Sequence, residues 1–561
     1  MTLHYGVYEE EKHPLAVHIW GHRLRTGQHW IEYMLEFLAV LAGFDYRLGQ
    51  GLPAPDGQKP KYKIPARLGL RRFVFYDERE KTRDARDTRA VLELRRELRT
   101  LLPETNGHGD EDLIEQVRSL LRSFSAIEEE RSWYAKSLFP VNEQFLLWEA
   151  LRKGAAQGKT PRKGKGQGKS LHSADELPLE ELDRGVEFLA RNFFARGGEL
   201  YYLIISAGTE GRPELRERIG ERLRTLLTKR NQTLGRIAQA IDKTWTGLTG
   251  DENEISSTVG WIPDPDCALY RQIADDLANF LDNELDSLEC LELLAHLIGF
   301  HIVTYIYHRA HPASDPEGHA SGSCLEACRP VILVDLLGEQ EGGVVREQSA
   351  ALLREQDDLQ LRQARALVEQ KVREWAARES DPERLGAIIE EEAKEFFLIG
   401  QTKAKSKYDQ ALRGARARAM EDREVAIQAY TDAIFEALST EFRKNFLGVH
   451  RKIGRAIGLI APRKGPSIRF VLGDTLLKTL TLAMLRPKTE TEQAFGDFLE
   501  ELYRRYGIVV GAGEARDAGL LARLRINEEY YAHNRDALRE RMQRAGLLTQ
   551  FSDATALVRR P

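Results

Sequence analysis

Residues 291–307 read LELLAHLIGFHIVTYIY, the longest apolar run in the chain. A bilayer span needs about 20 uninterrupted apolar residues, and this run is shorter and carries Glu292, His296 and His301. It is expected to be a helix buried at the centre of a globular fold, with both histidines satisfied inside the core. The flanking block 268–308, rich in Leu and Ile, extends that expectation.

Working outward, the chain has 561 residues, of which 42% are hydrophobic and 30% charged. That is enough apolar material for real cores, and the length corresponds to roughly three or four folded units. Lys and Arg number 82 against 87 Asp and Glu. A globally basic nucleic-acid binder is excluded, so any phosphate-binding surface must be a local patch. Four cysteines in a chain this long cannot form a disulfide framework. With no signal peptide expected at the N-terminus, the reading is a cytoplasmic protein without a membrane partner.

The fold class expected is mainly α with a few short strands, in several units. Residues 1–150 form an α+β domain with a helix from about Gln28, a strand over 67–77, and helices near 84–102 and 111–138. Residues 151–174 are a Gly/Lys-rich basic linker; its GKGQGKS run (164–170) has Lys163 where a phosphate loop needs glycine. Residues 175–345 are a mainly helical domain with a helix at 175–196, a buried strand at 199–206 (ELYYLIIS), and helices near 213–229 and 232–244. A parallel-type strand at 330–337 (PVILVDLL) closes that unit. Residues 346–442 form a helical arm. In 443–561, helices 474–485, 493–506 and 528–545 precede the strand 554–558. That pattern is expected of a winged helix-turn-helix, whose helix enters a DNA groove.

Two clusters attract chemistry. His308, His311, Cys324 and Cys328 supply nitrogen and sulfur ligands within about twenty residues, the donor set of a structural zinc. Asp335 ends the apolar strand where a metal-dependent nuclease or hydrolase places a carboxylate, but no Glu-x-Lys strand follows it. His18 and His22 share a helical face without an intervening glutamate and read as packing and capping groups.

The partner signal lies in 443–469, RKNFLGVHRKIGRAIGLIAPRKGPSIR. It holds Arg443, Lys444, Arg451, Lys452, Arg455, Arg463, Lys464 and Arg469 and no acid. Interleaved Phe446, Ile453, Ile457 and Leu459 predict an amphipathic helix with one basic face. Lys403, Lys405, Lys407, Arg413, Arg416 and Arg418 make a second, weaker patch.

The run 503–511 (YRRYGIVVG), with Gly546-Leu547-Leu548 and Ser552-Asp553-Ala554, resembles the ends of uncharacterised proteins from bacterial anti-phage defence islands. The resemblance covers the last fifth of the chain. It implies an accessory, DNA-linked role beside a larger ATPase or helicase, and it carries over no active site. The expectation is a non-enzymatic DNA- or partner-binding subunit without a catalytic cofactor. A metal-dependent hydrolase and a helical scaffold that binds no nucleic acid are the alternatives.

Overall fold

The computed structural model describes residues 14–22, 28–50, 85–101, 110–123, 142–146, 197–229, 231–249, 267–311, 328–337, 343–379, 381–397, 404–418, 422–462, 468–486, 491–524, 527–552 and 555–560. It also describes the short strands 61–65, 151–154, 187–190 and 254–258 and a few isolated residues. The strand expected at 67–77 lies outside these apart from Phe73, as do Cys324, Arg463, Lys464 and most of the basic linker.

The fold is mainly α. The N-terminal half runs α1 (Pro14–Trp20), α2 (Trp30–Gly43), β1 (Lys61–Pro65), α3 (Ala85–Leu101), α4 (Asp110–Ser123), β2 (Leu151–Gly154), β3 (Glu187–Ala190), α5 (Gly197–Gly208), α6 (Pro213–Thr228), α7 (Gln232–Thr249) and β4 (Glu254–Thr258). It continues through α8 (Ala268–Leu281), α9 (Ser287–Ala310), β5 (Ile332–Leu333), α10 (Gly343–Ala376), α11 (Pro382–Phe396), α12 (Ala404–Arg418) and α13 (Arg423–Glu441). After a π-helical turn, Phe442–Phe446, come α14 (Leu447–Ile457), β6 (Ile460–Ala461), β7 (Arg469–Phe470), α15 (Asp474–Met484), β8 (Glu492–Ala494), α16 (Phe495–Tyr506) and β9 (Ile508–Val509). The chain ends with α17 (Ala512–Asp517), α18 (Leu520–Leu524), α19 (Glu528–Arg544), β10 (Leu548–Gln550) and β11 (Ala556–Arg559).

Helix α9 contains the opening run and is the axis of the molecule. Asp286 caps it by accepting the Leu288 N–H at 2.9 Å, and its residues from Cys290 to Ala310 are buried almost without interruption. It is long and apolar enough to cross a membrane, but 94% of that stretch is covered by the protein itself. A helix apolar on every side needs neighbours on every side. Here α2, α8, α10, α14 and α15 all pack on it, and one contiguous core runs from Ile19 to Val558. A smaller core joins α3, α4 and α7 around Phe73, Phe145 and Trp245.

Two expectations are corrected. Residues 199–206 are not a strand but the middle of α5, every residue of which is buried. A short apolar run is compatible with a buried strand or a buried helix, and periodicity cannot separate them. Gly197-Gly198 is the first turn of α5. A Cβ on Gly198 would overlap the Phe37 amide and the Tyr33 carbonyl of α2, and one on Gly208 would overlap the Tyr270 carbonyl of α8. The helix expected at 175–196 is replaced, over its described part, by β3, which pairs antiparallel with β2. Residues 151–154 thus open the basic stretch as a strand. The parallel strand near 330–337 is present in shortened form: Ile332 faces Ile508 and Leu333 faces Val509.

The α2–α5 contact also buries acid. Glu36 accepts the Gly198 N–H at 2.8 Å and the Gln28 amide at 3.0 Å, and His22 lies 3.2 Å from Glu199 beside it. Burial pushes the Glu36 carboxyl up to about 7. The two hydrogen bonds oppose that shift and the Glu199 charge reinforces it.

Gly198→Ala and Gly208→Ala are each expected to lower unfolding free energy by about 1–3 kcal/mol or more through overpacking. Gly414→Ala, in the exposed interior of α12 with nothing near its Cβ, is expected to raise it by up to about 1 kcal/mol. Denaturant melts read both. Because folded Glu36 holds a proton that the unfolded chain has released, stability falls as pH rises from about 4.5 to about 7. Glu36→Gln is expected to be more stable than wild type at pH 8, by up to about 3 kcal/mol, with the gap closing near pH 5.

Candidate nucleic-acid interface

The segment 443–469 folds as the π-helical turn, then α14, then the β6–β7 hairpin. Within the turn Phe442 and Phe446 point inward, and the Phe446 ring stacks on Trp20 at 4.1 Å. A π turn inserts a residue into the helical path, so that Phe446 reaches Trp20 while Arg443 stays exposed. The side chain of Lys444 lies outside the described residues.

Helix α14 is amphipathic as its sequence predicts. Leu447, Val449, His450, Ile453 and Ile457 are buried, and Ile453 and Ile457 sit over Gly299 of α9. Gly458, at φ +82°, ends the helix in the left-handed conformation that favours glycine. The outer face carries Arg451, Lys452 and Arg455. Lys452 is exposed beside the start of α2, where its charge adds to burial in lowering the His29 pKa. Arg455 is half-buried.

Arg451 is not free for phosphate. Its guanidinium donates to both oxygens of Asp357 on α10, a carboxylate only 4% exposed. Next to it His450, fully buried, donates from Nε2 to Asp357 Oδ1 at 2.9 Å and accepts at Nδ1 from the Tyr307 hydroxyl of α9, also at 2.9 Å. Burial alone would raise the Asp357 carboxyl. The His450 hydrogen bond and the Arg451 charge hold it below its ordinary value. Burial lowers His450 despite Asp357, so the pair is a neutral imidazole on an ionised carboxylate. Arg469 is likewise spoken for: its Nε donates to Asp335 Oδ2 at 2.5 Å, with Arg346 at 3.5 Å from the same oxygen.

A second buried relay hangs on α9 one turn and a half earlier. The Tyr201 hydroxyl lies 3.0 Å from His301 Nδ1, and His301 Nε2 faces Asp276 at 3.4 Å. Asp276 also accepts from Arg505 and, at 3.0 Å, from the Tyr506 hydroxyl. Burial pushes its carboxyl up, but Arg505 and His301 bring it below the ordinary range. Neither relay was visible in the sequence. Their partners lie from 25 to 230 residues apart, and the only local sign is ionisable residues inside apolar helices.

The metal candidates separate. Asp335 is 4% exposed, bound to two arginines, and turned back to accept the Leu337 N–H at 3.3 Å. That is an ion pair closing a turn, not an open metal ligand. His308 lies 4.0 Å from Cys267 Sγ, a cysteine outside the expected quartet. Burial, followed by the charge of Arg309, drops its pKa to about 4. Cys328 is buried, His311 is partly exposed, and Cys324 is outside the described residues. Among the described residues no three His, Cys, Asp or Glu side chains gather as a metal set. In the weaker basic patch, Arg416 is clamped by both oxygens of Glu390.

Downstream, β8, β11 and β10 form a three-stranded antiparallel sheet in that spatial order. Helix α19 buries Tyr531, Asn534, Leu538 and Met542 on one side. Asn534 fastens it: its amide donates to the Val334 and Val510 carbonyls and its oxygen accepts the Leu336 N–H, all at 3.0 Å. The opposite side exposes His533, Arg535 and Arg544. Comparison of the chain with family models, with curated proteins and with solved structures finds no match.

Arg451→Glu is expected to cost about 3 kcal/mol or more, because it leaves Asp357 buried beside a like charge. Arg443→Glu and Lys452→Glu are expected to stay within about 1 kcal/mol of wild type. Thermal melts of the three single variants distinguish them.

Proposed function

We propose that the protein is a non-enzymatic DNA-binding subunit that grips phosphate with its C-terminal part. The observation that carries this reading is charge segregation. Residues 443–561 hold 22 Lys and Arg against 13 Asp and Glu, whereas the whole chain is at −5. Positive charge gathered at one end of an acidic chain steers that end to a polyanion and keeps the remainder off it.

The architecture supports the same reading. From α15 onward the order is helix, strand, helix, helices, strand, strand, with the first strand pairing to the last. On the proposed reading this order serves as a winged helix-turn-helix, with α19 as the groove helix and β10–β11 as the wing. Between α16 and α19 the chain adds β9, α17 and α18, and β9 ties the unit to β5 of the core. Of the basic residues described in 443–469, Arg443 and Lys452 are exposed, Lys452 beside the start of α2. In a cytoplasmic complex the remaining helical surface is left for a larger ATPase or helicase, the neighbour that the C-terminal resemblance implies.

A scaffold that binds no nucleic acid has one observation in its favour: Arg451 and Arg469 face carboxylates of their own chain. Binding of labelled duplex DNA at increasing salt decides between the two. The DNA reading expects affinity to fall steeply and linearly on a log–log plot, and expects Arg443→Glu/Lys452→Glu to weaken binding at least tenfold while leaving the melting temperature in place. No binding in low salt, or full binding by the double variant, leaves the scaffold.

A further inference from the structure

Helix α1 stops at Trp20, and Gly21 turns the chain through the left-handed conformation at φ +74°. That turn carries His22 inward, beside the contact of α2 with α5. His22 is 3% exposed, and Glu199, in the first turn of α5, is fully buried. The imidazole is held from both sides. Its Nδ1 lies 2.8 Å from the Gly21 carbonyl, and its Nε2 lies 3.2 Å from Glu199 Oε1. A carbonyl only accepts, so Nδ1 carries the proton, and the neutral ring turns its Nε2 lone pair towards the carboxylate. His301 differs in this respect, because the Tyr201 hydroxyl can donate to its Nδ1 and leave an Nε2 proton for Asp276.

Two electron pairs face each other at this distance only with a positive centre between them, and that centre is a proton or a metal ion. A proton favours a straight line from nitrogen to oxygen. Yet Nε2 makes no hydrogen bond, although the oxygen is within reach. A metal ion asks for a bent arrangement. With bonds of about 2.0–2.2 Å to nitrogen and oxygen, the two donors stand about 2.9 Å apart at a right angle and about 3.4 Å apart at the tetrahedral angle. The observed separation falls between. A ring whose far nitrogen donates to a backbone carbonyl is also the habitual setting of a metal-binding histidine.

A third donor lies close by. Gln28, 2% exposed, gives its amide N–H to Glu36 and leaves its amide oxygen without a hydrogen bond. That oxygen lies over Gly197, 3.0 Å from where a Cβ would stand, in the turn of α5 that carries Glu199. We infer that His22 Nε2, Glu199 Oε1 and the Gln28 amide oxygen bind one divalent transition-metal ion of the zinc class, which fastens the end of α1 to α5, with water completing the shell. An imidazole among the donors selects this class over magnesium and calcium.

The test is titration of the full chain, stripped with EDTA and dialysed, with Zn²⁺ alone. Cys267 and His308 are a second pair with zinc-type donors, so Cys267→Ser is run alongside. Wild type and Cys267→Ser are expected to bind one zinc per chain without competition from Mg²⁺. Glu199→Gln and His22→Gln, checked for folding by circular dichroism, are expected to bind it at least tenfold more weakly. Co²⁺ in place of zinc is expected to show the visible bands of nitrogen and oxygen ligands and no thiolate charge-transfer band. The cobalt spectrum needs no variant, so it decides the matter even where a variant fails to fold. No stoichiometric zinc on wild type overturns the inference and leaves His22 and Glu199 as an ion pair around a proton. Wild-type affinity in Glu199→Gln, loss of zinc in Cys267→Ser, or a thiolate band with Co²⁺ puts the metal elsewhere and also overturns it. None of these outcomes bears on the DNA reading.

Discussion

Helix α9 is buried on all sides yet carries His301 and Tyr307, and that combination constrains the rest of the structure. A buried imidazole or hydroxyl without partners costs several kcal/mol, so each must meet a hydrogen-bonding group delivered from elsewhere. Tyr201 and Asp276, with Arg505 and Tyr506 beyond, serve His301. His450 and Asp357, with Arg451 beyond, serve Tyr307. The partners sit on α5, α8, α16, α10 and α14. Apolar packing alone would tolerate several arrangements of helices around α9. The two relays are satisfied only when those five helices dock in one register, which ties the C-terminal part to the N-terminal half.

This arrangement divides the basic segment into two kinds of residue. His450, Arg451 and Arg469 look inward and hold α14 and β7 against buried carboxylates. Arg443 and Lys452 look outward. A helix gripped on one side by buried ion pairs presents its other side with little freedom to lose, which favours binding to a rigid polyanion. The same division explains why charge counted along the sequence overstates the positive charge that faces solvent.

Much of the fold was legible. The apolar face of α14, helices α6 and α7 and the buried character of α9 follow from spacing and composition, because burial leaves its mark in the sequence. What failed was local: ELYYLIIS has no polar side to betray its period, so a helix buried all round reads as a strand. Gly197-Gly198 opens α5 because its close approach to α2 leaves no room for a Cβ. The candidate site was legible as a charged segment but not residue by residue. Arg451 and Lys452 are adjacent in sequence and chemically alike. Asp357, 94 residues from Arg451, holds that guanidinium in an internal ion pair, while the Lys452 side chain next to it is exposed.

The central claim is that the outward cations of 443–469 and the terminal α19–wing unit make one DNA-facing surface. Hydrogen–deuterium exchange of the full chain, with and without a saturating short duplex in low salt, examines it most directly. The account predicts slowed exchange in α14, the β6–β7 hairpin and the β10–β11 tip, with α5 and α9 unchanged. Protection confined to other parts of the chain, or none anywhere, would contradict it.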